Sequence, residues 1–458
     1  MKSSLILIVL CALALAAIAE EPPLPEGLDG QAESSDEPEL PEGLDDQPAP
    51  DDPAPPDLKP ALELPFDLGG FWDTRGGIRT GSDPAQRDLS IAESRLQLKL
   101  ARDVNRVGFH VTSDFLYDPI PEHHSVDIDT GRGWIDLREA NVSLTPASFL
   151  DLKLGRQILT WGTGDLLFIN DLFPKDWNSF FIGRDQEYLK APSDAVKASL
   201  FFEQANLDIV YTPRFDSDRF IDGSRLSYFN GTLGGTAGRD AIVQADRPHS
   251  DELAARLYRN LGGYELALYG YDGYWKSPAG QDPATMRATF PRLGVYGGSV
   301  RGKLGRGIGN IEAGWYDSKD DRDGSDPYVR NSEARVLTGY EQEIGPDLTA
   351  GLQYYVEHML DYAEYKKSSA GPPADENHHV VTLRLTKLLM NQNLRLSLFT
   401  FFSPSDSDAY LRPAADYKIS DNWSVAAGGN FFLGESRRTF FGQFQDNSNV
   451  YAAMRYSF

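Results

Sequence analysis

The sequence predicts an all-β chain: a transmembrane antiparallel β-barrel of about sixteen to eighteen strands, behind a disordered N-terminal extension. Three observations point there. From Leu68 onward apolar and polar residues alternate with period two, and no helical period is sustained. Short and long connections take turns along the chain. The last alternating segment ends on the final residue, Phe458.

The chain opens on an address. Lys2 supplies a positive n-region, Leu5 to Ala17 is a short apolar run, and Ala17-Ile18-Ala19 is a small-x-small cleavage site. Residues 1–19 are expected to be a cleaved secretory signal peptide, too short for a spanning helix. A lipoprotein leader would use Cys11, but bulky Leu10 stands where a small residue belongs. Cys11 is the one cysteine of the 458 residues. A chain cleaved after Ala19 has no disulfide, thiolate nucleophile or cysteine zinc site.

Residues 20–67 hold sixteen Asp/Glu, twelve Pro and a single base, Lys59. Such a segment buries too little apolar surface to offset its ordering entropy. It reads as an extended acidic tether on the periplasmic side. Leu24-Pro25-Glu26-Gly27-Leu28-Asp29 recurs at Leu40 to Asp45, which suits a spacer or a short docking motif. The tether carries most of the formal charge of −24. That charge excludes a nucleic-acid reader with a broad basic face.

The barrel is expected over 68–458. Leu96, Leu98 and Leu100 alternate with Arg95, Gln97 and Lys99, and Leu394, Leu396 and Leu398 with Arg395 and Ser397. Successive strand side chains face opposite sides, so each segment has one apolar and one polar face. Eighteen such segments run from 68–80 to 448–458, with sixteen as the alternative count. Tight links at Asp103 to Asn105, Asn260 to Gly263, Gly305 to Arg306 and Ile419 to Asp421 alternate with long ones such as 118–132, 162–194 and 214–250. Short turns at one end and long loops at the other mark an outer-membrane barrel. Val450, Ala452, Met454, Tyr456 and Phe458 form one face of the last segment. A terminal Phe with an aromatic two residues before it resembles the signal read by the barrel-assembly machinery of Gram-negative bacteria.

One stretch has a narrower likeness. Leu154-Gly155-Arg156-Gln157 leads to Trp161-Gly162, and a loop follows as Gly164-Asp165-Leu166-Leu167-Phe168-Ile169-Asn170-Asp171-Leu172-Phe173-Pro174. This resembles bacterial porins of the phosphate-selective and alginate-export-like kind. The likeness implies a porin in the outer membrane that passes small hydrophilic solutes, with an inward loop.

The candidate residues follow from that frame. The segment from Gly162 to Asp194 has more Phe and Trp than an exposed loop tip carries. It is expected to fold into the lumen and narrow it, with Asp165, Asp171, Lys175, Asp176 and Arg184 setting the local field. Opposite it, Arg95, Lys99, Arg138 and Lys153 form a candidate basic ladder for anionic solutes. Arg156 joins them only if the strand bulges near Gly155. The bland alternative pairs these bases with Glu93, Asp136 and Asp151.

Other features carry less. His123-His124 and His378-His379 are adjacent residues, which on a strand face opposite ways and seldom chelate one ion. Asp317, Asp320, Asp321, Asp323 and Asp326 crowd one loop but lack the spacing of a twelve-residue calcium loop. No nucleophile elbow or ordered triad stands out. No enzyme activity, cofactor or resident metal is expected. The expected partners are outer-membrane lipid and lipopolysaccharide, small solutes and the assembly machinery through Phe458; a homo-oligomer is compatible, and nucleic acid is not. A second reading is a scaffold barrel that anchors a periplasmic partner through the tether.

Overall fold

A computed structural model describes residues 66–121, 125–231, 233–369 and 371–458. The leader, the tether up to residue 65 and the pair His123-His124 lie outside the described residues.

Eighteen antiparallel strands form one sheet that closes on itself, because the last strand pairs with the first. They are β1 (Asp67–Arg79), β2 (Leu89–Val104), β3 (Val107–Tyr117), β4 (Ile135–Ala147), β5 (Leu150–Ile158) and β6 (Pro192–Phe201). Next come β7 (Asn206–Thr212), β8 (Glu252–Leu261), β9 (Tyr264–Tyr274), β10 (Arg292–Leu304), β11 (Gly307–Ser318) and β12 (Glu333–Gly345). The round ends with β13 (Leu348–Met359), β14 (Asn377–Leu389), β15 (Leu394–Ser403), β16 (Asp408–Lys418), β17 (Trp423–Gly434) and β18 (Asn449–Ser457). The count is therefore eighteen rather than sixteen. Each strand pairs with its sequence neighbours, an up-and-down order whose closure leaves no free sheet edge.

The alternation read from sequence is the alternation of burial. Along β1, Phe71, Asp73, Arg75 and Arg79 are buried while Trp72 and Ile78 are exposed. Trp72, Leu96 and Phe115 lie side by side across β1, β2 and β3, all exposed on the outer face. Tyr296 and Trp315 make a similar outer pair on β10 and β11. In water such a continuous apolar face would be a large liability. The inner face instead carries charged and amide side chains, including Glu93, Arg95, Gln97, Glu312 and Gln353.

Turn chemistry sets the tight end. Leu261 pairs with Tyr264 over Gly262-Gly263, and both glycines have positive φ (59° and 85°). A two-residue hairpin of that hand requires this at both positions. Both chain ends of the barrel lie at this same end. There the backbone amides of Gly70 and Phe458 bond to each other's carbonyls at 3.0 and 3.1 Å. One link at the long-loop end is short: β15 and β16 are joined by only 404–407.

Candidate functional site

The connection from Leu159 to Ala191 joins β5 to β6 and lies across the barrel interior. Its sequence explains why. Ile169, Phe180, Phe181 and Ile182 are almost fully buried, and Leu166 and Phe173 nearly so. That much apolar surface needs a wall to pack on. It finds Tyr316 of β11, Tyr410 of β16, Phe432 of β17 and Tyr451 of β18, with which it forms one apolar cluster. The Phe181 ring meets Phe432 edge-on at 5.0 Å and Tyr410 at 5.3 Å. The α-helix of the segment, α1 (Trp177–Phe181), starts where the Asp176 side chain accepts Ser179 N at 2.8 Å.

The first arm of the segment, 163–170, is tied to β11, β13 and β14. Glu312 Oε2 accepts Thr163 N (2.6 Å), Thr163 Oγ1 (2.9 Å) and Gly164 N (3.2 Å). Its Oε1 accepts Asn170 N (2.9 Å) and Asn170 Nδ2 (3.0 Å). Gln353 grips Asp165 from both sides: Asp165 N donates to its Oε1 at 2.8 Å, and its Nε2 donates to Asp165 O at 2.9 Å. The Asp165 carboxylate takes the Arg384 guanidinium, with one bond of 2.7 Å.

The middle is riveted to other loops. Asp218 accepts Lys175 N (2.7 Å), Trp177 Nε1 (3.1 Å) and Ser277 Oγ (2.6 Å), joining three connections at one carboxylate. Burial pushes the Asp218 carboxyl above its ordinary range. Arg219 pairs with Asp136 of β4 at 2.7 Å and with Asp176 at 3.4 Å.

The second arm, 181–190, is tied to β1, β2, β4 and β18. Arg184 pairs with Glu93 at 2.5 Å. Asp185 pairs with Arg75 at 2.8 Å and also with Arg455. Burial works against the charged form of Asp185, but the two guanidiniums outweigh it and hold the carboxyl below the usual range. The Tyr188 ring lies between the guanidiniums of Arg95 (4.3 Å) and Arg138 (4.8 Å), and burial pushes its hydroxyl up.

The expected pore-lining residues divide. Arg95 and Arg138 face inward but are buried. Arg95 pairs with Glu93 (2.7 Å) and Asp114, and Arg138 donates to Lys190 O (2.8 Å) with Asp136 at 3.9 Å. Lys99 is exposed on the same face of β2. Lys153 is half-buried, with Glu139 at 3.6 Å. Asp151, an expected mate of the ladder, instead accepts Thr145 Oγ1 at 2.7 Å. Arg156 corrects the bulge expectation. Gly155 does have φ +112°, yet the register on both sides runs through it without a shift. Arg156 therefore stays on the outer face of Leu154 and Val196. It pairs there with Asp194 at 2.7 Å and with Asp129. Asp165, Asp171, Lys175, Asp176 and Arg184 all lie in the inward segment, and each is bonded: Lys175 Nζ, for example, meets Asp171 Oδ1 at 3.0 Å.

His378 and His379 face opposite ways. His378 Nε2 is 3.1 Å from Asp406 Oδ2, and His379 Nδ1 is 2.7 Å from Tyr354 Oη. In the acidic loop, Asp321 accepts the Ser325 and Asp326 amides, so its carboxylate is used by its own backbone.

Sequence reasoning missed the wall residues that receive the segment: Glu312, Gln353, Arg384, Arg75 and Arg455. Each is one polar residue among many on an inward face. It also missed a cavity of about 750 Å³ at the tight-turn end, lined by Arg75, Arg384, Arg412, Arg455, Asp73 and Asp185 among others. Arg412 donates to Arg184 O at 2.8 Å and lies 4.6 Å from the Phe180 ring. Arg395 also lines the cavity; among the described residues the other four arginines have carboxylate partners within 4 Å and Arg412 has none.

No protein-family model matches the chain, and no curated protein matches it. Solved structures do. OccAB1 of Acinetobacter baumannii aligns with a TM-score of 0.53 at 8% identity, covering 86% of this chain and 95% of that one. OccAB4 of the same organism aligns at 0.52 and 10% identity, covering 87% and 99%. Both are outer-membrane porins. At such identity the likeness is one of fold, and it lends no support to the narrower resemblance to phosphate-selective or alginate-export-like porins. The chain has the closed eighteen-strand fold of outer-membrane porins.

Proposed function

We propose that the protein is an outer-membrane channel for passive diffusion of small hydrophilic solutes, with the segment 159–191 setting what passes. The observation that carries this reading is the division of the barrel: an apolar outer face around a polar, charged interior crossed by one internal segment. Lumen-facing charge and lipid-facing apolar residues are what a bilayer asks of a strand-built channel. Trp423, Tyr456 and Phe458 at the tight-turn rim suit the membrane interface. Phe458 is half-exposed there, accessible to the assembly machinery.

A bias toward anionic solutes is part of the reading. It rests on Arg412 and on exposed Lys99, because Arg95, Arg138, Lys153, Arg75, Arg384 and Arg455 already have acids beside them. The porin fold favours a channel over an enzyme.

The apolar cluster inside the barrel favours a second reading, a scaffold whose lumen is blocked by its own segment. Single-channel recording of the purified protein in planar bilayers, with reversal potential under a salt gradient, separates the two. Steady conductance with anion preference supports the channel and its bias. Cation preference keeps the channel and discards the bias. An inserted barrel that passes no ions gives the second reading the field.

A further inference from the structure

We propose that residues 181–185 act as an internal clasp on the seam where the barrel closes. Every joint in the barrel but one is made between strands adjacent in sequence. The exception is β1 against β18. Its ladder runs from Phe71 opposite Ser457 to Arg79 opposite Asn449, with Asp73 directly opposite Arg455. Backbone pairing alone would leave this joint like any other.

A third element crosses it from inside. Asp185 is held by Arg75 of β1 at 2.8 Å and by Arg455 of β18. Arg75 also donates to Gly183 O. Asn449 Nδ2 of β18 donates to Phe181 O at 3.1 Å. Gly183 has φ +92° and lies on the Tyr451 ring, where a Cβ would collide. Five consecutive residues thus reach both strands of the seam through two ion pairs, two backbone carbonyls and a close aromatic contact.

The charge arrangement makes Asp185 the keystone. Arg75 and Arg455 are like charges on facing strands in a half-dry interior. Asp73 lies within 3.4 Å of both. One carboxylate cannot offset two guanidiniums, and the second comes from the internal segment. The first arm offers a contrast: Asp165 pairs with Arg384 of β14, four strands round from β18.

The test is hydrogen exchange with mass spectrometry on the purified, membrane-extracted protein. Asp185→Asn is expected to speed exchange in β1 and β18 peptides about tenfold, the effect of one lost charge-assisted bond, and to leave β10 and β11 unchanged. Gly183→Ala, which pushes on Tyr451 without touching charge, is expected to give the same pattern. Asp165→Asn serves as the control and is expected to leave the seam protected. Unchanged seam protection in both clasp variants overturns the proposal. So does equal loosening by Asp165→Asn, which would mean the segment stabilises the barrel generally. If Asp185→Asn does not fold, Arg455→Lys keeps the charge but loses the fork, and is expected to loosen the same two strands more weakly. Conductance plays no part in these readouts, so the clasp stands or falls apart from the transport reading.

Discussion

Glu312 holds Asn170 twice through one oxygen: Oε1 accepts both the backbone amide, at 2.9 Å, and the side-chain Nδ2, at 3.0 Å. With Thr163 and Gly164 on its other oxygen, this buried carboxylate is satisfied by N–H and O–H donors, with no cation in ion-pair range among the described residues. It fixes the entry of the internal segment to β11.

Glu312→Gln replaces one acceptor oxygen by an NH₂ group that faces donors. The expected cost is about 1–3 kcal/mol, the range for leaving buried polar groups unpaired. Denaturant unfolding should show a lower midpoint with little change in slope. An unchanged midpoint would mean that the first arm is not anchored there.

Cysteines placed singly at Phe173 or Asp176 should resist bulky thiol reagents added from outside, since both positions are buried against the wall or neighbouring loops. Cys11 is the only native cysteine, so labelling in a Cys11→Ala background reads the site cleanly. Rapid labelling at both positions sinks the inward placement of the segment. Glu312→Gln in the same background should raise the rate at Phe173.

Two glycines make a matched pair. A Cβ on Gly297 of β10 would collide with Asn170 Oδ1 and stand 2.6 Å from Ala313 O, whereas a Cβ on Gly270 of β9 meets nothing within 4 Å. Gly297→Val should destabilise by about 1–3 kcal/mol, the usual cost of overpacking. Gly270→Val should be near neutral. Thermal unfolding followed by the mobility shift of heated barrels on gels compares the two directly.

The pH dependence of the Asp218 rivet has a definite sign. Its carboxyl is raised by burial, so the riveted state holds the proton more tightly than the released state. Its contribution is complete below the ordinary carboxylate pKa and declines as pH rises through the raised value. Protection of the Lys175 amide, corrected for intrinsic exchange, should therefore fall from acid toward neutral pH. Asp218→Asn should flatten that profile. A wild-type profile that is already flat removes the assignment.

Arg412→Gln should lower the preference for anions several-fold in reversal-potential measurements, as the cavity loses a cation with no carboxylate within 4 Å. The same change at Arg384, already paired with Asp165, should do less. Equal effects would show that pairing within the cavity does not decide selectivity.

The strands were legible because burial on one face has a period, and eighteen runs kept it from Leu68 to the final Phe. The inward course expected of 162–194 was legible from its aromatic content, although 192–194 belong to β6. What could not be read was which wall residue meets which loop residue. Arg384 and Asp165 are 219 positions apart, and nothing local to either marks the other. Arg156 shows the opposite limit. Its face was decided by the phase of β5, and the positive φ at Gly155 did not alter that phase. The short link 404–407 broke the length alternation because β15 and β16 need only a turn there.

The clasp also joins three points far apart along the chain. Asp185 follows Arg75 by 110 positions and precedes Arg455 by 270. The seam therefore closes only when both ends of the barrel sequence and the carboxylate between them have come together. Contacts this distant in sequence are slow to form unaided. In a chain truncated before Arg455, Asp185 would keep Arg75 and lose its second guanidinium.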